Sequence, residues 1–104
     1  MAYKRLMEIP WDSVHTKALD YFRTLLRIDT TNPPGNEQQA VDYLASLLED
    51  EDFDIQIFES APGRANLVAR LSSGKSEGPL LLSSHVDVVP AEAKKWRYPP
   101  FDAT

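Results

Sequence analysis

His85 and Asp87 are the residues whose types and spacing most clearly offer chemistry. They fall in the run Pro79-Leu80-Leu81-Leu82-Ser83-Ser84-His85-Val86-Asp87-Val88-Val89-Pro90, with Gly78-Pro79 marking its start and Pro90 its end. A short apolar run between turn residues predicts a buried strand rather than a helix. Side chains alternate along a strand, so His85 and Asp87 share a face, with Cβ atoms roughly 6.6 Å apart at about 3.3 Å rise per residue. The carboxylate can then accept a hydrogen bond from one imidazole nitrogen, fixing tautomer and ring angle, while the other nitrogen coordinates a metal ion. Open α/β sheets also place their chemistry at the carboxyl ends of strands. The bland alternative is a His–Asp hydrogen bond that only closes a strand end. One imidazole and one carboxylate do not complete a four-coordinate zinc site, so further ligands must come from elsewhere.

The elements that must position this pair come earlier in the chain. After a mixed leader over residues 1–11, Asp12 or Ser13 is expected to cap a first helix, whose apolar stripe is Val14, Ala18, Tyr21, Phe22, Leu25 and Ile28. His15 beside the stripe reads as a solvated histidine, and Trp11 as a packing anchor. Asp29-Thr30-Thr31-Asn32-Pro33-Pro34-Gly35 cannot continue a helix and reads as a connector without ligand spacing. Asn36, with Gln39 three residues on, predicts a capping box for a second helix that buries Val41, Leu44, Ala45 and Leu48. Its acidic end, Glu49-Asp50-Glu51-Asp52, reads as solvated.

Residues 53–59 and 66–71 alternate as half-buried strands, and Ser60-Ala61-Pro62-Gly63 between them predicts an antiparallel hairpin. Arg64 reads as an exposed turn residue, although its guanidinium could reach a substrate carboxylate. Residues 72–78 form a polar loop without a phosphate-binding pattern. After Pro90, Glu92 is the one further carboxylate near the pair. Trp96 and Phe101 read as residues packing an irregular loop against the sheet.

Composition narrows the classes further. The 104 residues carry a net charge of −5, from 16 acidic and 11 basic side chains, and this disfavours nucleic-acid binding because no basic stripe faces phosphates. No cysteine is present, so any metal must be held by histidine and carboxylates. The leader has no signal-peptide core and no run is long enough to span a membrane, so a soluble, cytoplasmic protein is expected. Two helices are too few to cover both faces of a mixed sheet, and the chain reads as the beginning of a domain.

The motif of residues 80–90, followed by Trp96 and Pro99-Pro100-Phe101, resembles the first metal motif of the di-zinc aminoacylase and carboxypeptidase G family. That family includes acetylornithine deacetylase, succinyl-diaminopimelate desuccinylase and the cytosolic dipeptidases. Ile28-Asp29-Thr30-Thr31-Asn32-Pro33-Pro34-Gly35-Asn36-Glu37 is similar to the family's loop before the second helix, and Arg64-Ala65-Asn66-Leu67-Val68-Ala69 to its second strand. The resemblance implies an α/β fold with a mixed sheet flanked by helices, of which residues 1–104 are the N-terminal portion of the catalytic domain in helix-helix-strand-strand-strand order. A lid domain and the rest of the catalytic domain would lie downstream.

The resemblance further implies that His85 binds one of two zinc ions, for which cobalt or manganese could substitute, and that Asp87 orients its imidazole. The implied activity is hydrolysis of amide bonds in N-acyl amino acids or short peptides, with a homodimer formed through the lid. The family's bridging Asp, adjacent Glu pair and final His have no counterpart here, so the isolated chain is expected to be inactive. The competing reading is a non-catalytic α/β binding or assembly module that keeps a relic metal motif.

Overall fold

The computed structural model describes residues 8–104; the leader expected over residues 1–11 therefore lies outside the described residues as far as residue 7. Helix α1 spans Trp11–Arg27, α2 spans Gln38–Glu49, strand β1 spans Asp54–Ala61 and β2 spans Arg64–Arg70, followed by a short 3-10 turn at Ala93–Lys95. The fold is mixed α/β, and its first four elements follow the expected order.

The helix starts differ in detail from expectation. Neither Asp12 nor Ser13 caps α1; Pro10 precedes its first residue, and the Ser13 hydroxyl donates back to the Pro10 carbonyl at 3.0 Å. A proline is well tolerated here because its fixed φ suits a helix start and its missing N–H would lack a helical partner anyway. Asn36 does not cap α2 either. The cap position is Glu37, with no side-chain cap bond, and the Gln38 N–H donates instead to the Gly63 carbonyl at 3.1 Å. The hairpin turn thus satisfies one of the donors that a helix start leaves without an intrahelical partner.

The core lies between α2 and the hairpin. Ala40, Val41 and Ala45 of α2 and Ala65 of β2 are buried, as the periodicity of α2 predicts. Small residues at these positions let the helix approach the strands closely. β1 and β2 pair antiparallel from Asp54 opposite Arg70 to Glu59 opposite Ala65, and Ser60 is the extra residue of a bulge before Ala61 pairs with Arg64. The loop is only Pro62-Gly63, tighter than the four-residue turn expected, and Gly63 at φ +75° supplies its left-handed residue. Arg64 is consequently a strand residue rather than a turn residue.

The third strand expected over residues 79–90 does not form. Leu80, Leu81 and Leu82 are 84–85% exposed, and the one pairing in this stretch is an isolated parallel bridge between Thr31 and Val88. A central strand takes its hydrogen bonds from neighbours, and here the sheet stops at β1 and β2, with residues 79–90 paired to neither. The apolar run reports what favours burial, not what is at hand to bury it. Trp96 is likewise exposed rather than packed on a sheet, and Phe101 is half-buried beside a cleft instead. No residue of α1 is buried, and Val14, Tyr21 and Phe22 of its apolar stripe are exposed.

Because Ala45 sits at 5% exposure in a contact built from small side chains, Ala45→Leu should overpack it. The expected loss is about 1–3 kcal/mol. Urea unfolding checks this: the midpoint should fall with the slope unchanged.

Candidate functional site

The segment carrying His85 and Asp87 is held by the loop after α1. The Asn32 N–H donates to the Val88 carbonyl at 2.8 Å, and the Val88 N–H donates to the Thr30 carbonyl at 3.2 Å. The Thr30 hydroxyl, in a side chain almost wholly buried, donates to the Val86 carbonyl at 2.6 Å. The loop leaves α1 at Ile28 in an extended conformation, and its residues 30–32 pair with residues 86–88 as a short strand would. The loop read from sequence as a plain connector is what anchors the site.

His85 and Asp87 meet on one side of that segment. The His85 Nδ1 lies 2.8 Å from Asp87 Oδ1 and 3.0 Å from the Asp87 carbonyl oxygen. Both partners are acceptors, so Nδ1 carries the proton and, in the neutral ring, Nε2 keeps a free lone pair. The His85 side chain is 84% exposed. An imidazole tied at Nδ1 and open at Nε2 can act as a metal ligand or as a base.

The second oxygen of Asp87 is also engaged. The Asn32 amide Nδ2 donates to Asp87 Oδ2 at 3.0 Å, and an Arg64 guanidinium nitrogen lies 4.0 Å from the same oxygen. Arg64 is held in turn by Glu37: its terminal nitrogen donates to Oε1 at 2.6 Å, and its Nε lies 3.2 Å from both carboxylate oxygens. The Glu37 side chain is only 9% exposed against 39% for Arg64, so this ion pair is half sunk into the fold. The reading of Arg64 as a free surface residue is corrected: a carboxylate this nearly buried must be paired, and Arg64 is its partner.

These contacts set the charge states. Hydrogen bonding from Arg64 holds the Glu37 carboxyl below the ordinary glutamate range, against an opposing push from burial. The Asn32 amide, and next the His85 ring, hold the Asp87 carboxyl below the ordinary aspartate range. Arg64 is pushed further up by Glu37.

Sequence reasoning missed Asn32, Glu37 and Arg64 as members of the site. The available signals were an Asn placed before two prolines and an Arg flanking a Pro-Gly turn, neither of which names its partner. Glu92 does not join them; it pairs with Lys95 at the surface. A cleft of about 750 Å³ opens beside His85 and Asp87, lined in part by Leu25, Ile28, Val86, Trp96 and Phe101.

His85 and Asp87 fit a metal centre as one nitrogen ligand with its orienting carboxylate. Among the described residues, no three His, Cys, Asp or Glu side chains are grouped to hold an ion.

The chain is similar to curated acetylornithine deacetylases. It is 46% identical over 70 residues to that of Vibrio cholerae serotype O1, covering 67% of this chain and 18% of the relative. It is 37% identical over 90 residues to that of Aliivibrio fischeri, covering 82% and 23%. It is 34% identical over 98 residues to that of Aliivibrio salmonicida, covering 94% and 25%. The chain thus spans a quarter or less of the length of these relatives. No protein-family model matches the chain, and no solved structure matches it. No helix among the described residues is long and apolar enough to cross a membrane.

The depressed Glu37 and Asp87 carboxyls imply a pH dependence with a definite sign. Groups whose folded pKa lies below the unfolded value contribute stability that is complete above the ordinary carboxylate range of about 4. That stability is lost as pH falls through the folded values. Unfolding at pH 6 and at pH 3 should therefore show a drop in stability that shrinks in Glu37→Gln, relative to the exposed control Glu77→Gln.

Proposed function

We propose that this chain is the N-terminal portion of the catalytic domain of a metal-dependent hydrolase. The enzyme cleaves amide bonds in N-acyl amino acids or short peptides, with acetylated ornithine the first substrate to try. The observation that carries the reading is the His85 ring, anchored through Nδ1 on Asp87 with Nε2 free, in a chain similar to deacetylases.

His85 would hold one zinc ion through Nε2, and cobalt or manganese would suit the same donor. Asp87 keeps the proton on Nδ1, so the coordinating lone pair stays on the outward nitrogen. A bound metal supplies Lewis acidity toward the scissile carbonyl and lowers the pKa of a bound water. The remaining ligands and the general base lie in the part of the enzyme beyond these residues, as do the lid and the dimer contact it carries. The 104-residue chain by itself is inactive on this reading.

The test uses the full-length polypeptide that carries this sequence, stripped with a chelator and resupplied with zinc. Hydrolysis of N-acetylornithine should return with the metal in the wild type. Asp87→Asn should lower activity about 10–100-fold, the range for a partner that orients a ligand, and His85→Ala should lower it further. Wild-type turnover in His85→Ala would sink the reading.

A further inference from the structure

Behind the His85–Asp87 pair lies a second layer of contacts. Asp87 has two carboxylate oxygens: Oδ1 accepts from His85, and Oδ2 accepts from Asn32, with Arg64 at 4.0 Å. A carboxylate gripped at one oxygen only can rotate about its terminal torsion, which is broad and soft. Gripped at both, it presents one fixed lone-pair direction to the imidazole. Arg64 can serve this purpose only because it is itself held, by the fork of contacts to Glu37.

Gly35 completes the arrangement. A Cβ at this position would fall 2.8 Å from the Arg64 Nε and 3.0 Å from its guanidinium carbon, and Gly35 has φ +91°. The loop backbone therefore lies directly against the guanidinium. The loop after α1, the start of α2, the start of β2 and the His–Asp segment all converge on one carboxylate.

We propose that Asn32 and the Glu37–Arg64 ion pair are positioning residues that fix the Asp87 carboxylate, and through it the His85 ring. The inference rests on the metal-site reading above.

Zinc affinity of the full-length protein, measured by competition with a chelator, tests it without recourse to activity. Asn32→Ala should weaken zinc binding about tenfold, the lower end for outer-layer partners of a ligand. In an Asp87→Ala background the same substitution should add no further loss, because Asn32 acts through Asp87. Arg64→Met alone leaves Glu37 nearly buried and unpaired and can fail to fold, so the ion pair is removed as a unit in Glu37→Gln/Arg64→Met. That paired variant should show the same dependence on Asp87.

An equal loss in both backgrounds is what a merely structural role gives. Either that result or no loss at all overturns the assignment for the residues tested. His85→Ala separates the two levels of inference. Wild-type zinc affinity in that variant overturns the metal-site reading and this inference with it. Lost affinity together with additive effects of Asn32→Ala and Asp87→Ala overturns the positioning role alone.

Discussion

The Glu37–Arg64 ion pair is the constraint on which the rest of this arrangement depends. Glu37 sits at the start of α2 and Arg64 at the start of β2, so the pair locks the helix to the hairpin at the end where both approach the His–Asp segment. A nearly buried carboxylate without a cation would be costly, which leaves few places for the guanidinium to go. Once Arg64 is committed to Glu37, its position relative to Asp87 is settled, and the loop carrying Asn32 and Gly35 must pass close over it. The Gln38 N–H, donating to the Gly63 carbonyl, reinforces the same junction through the backbone.

Asp87 is the point where these constraints become chemistry. It accepts from His85 on one oxygen and from Asn32 on the other, and both contacts favour its charged form. The histidine is left with one occupied and one open nitrogen, an arrangement in which an imidazole can coordinate a metal ion. The open side of the ring is solvent-exposed, and the neighbouring cleft is lined by apolar side chains. Elsewhere, Val14, Tyr21 and Phe22 of α1 and the run Leu80-Leu81-Leu82 are exposed apolar side chains.

How much of this was legible in the sequence depended on the distance over which each feature is decided. The contact between His85 and Asp87 spans only two residues and needs no strand around it, so the sequence spacing alone points to it. The buried face of α2 follows from its 3.6-residue period, and the hairpin from a Pro-Gly turn between alternating runs. Helix caps were less legible, because Gln38 takes its partner from Gly63, a residue distant in sequence. The third strand was misread for a related reason. Its apolar run is visible in the sequence, but a strand's pairing partner is not, and this run joins neither β1 nor β2.

The sequence by itself determined the helix–helix–hairpin order, the apolar faces, and a histidine and an aspartate able to meet, since each rests on local periodicity or spacing. Only the tertiary structure decided that Arg64 pairs with Glu37 rather than facing solvent, and that Asn32 donates to Asp87 rather than merely ending a connector. Both contacts join residues 27 and 55 positions apart in the chain. No local propensity encodes such a contact. It exists because a nearly buried charge must find its counter-charge, and a carboxylate its donors, wherever the fold brings them.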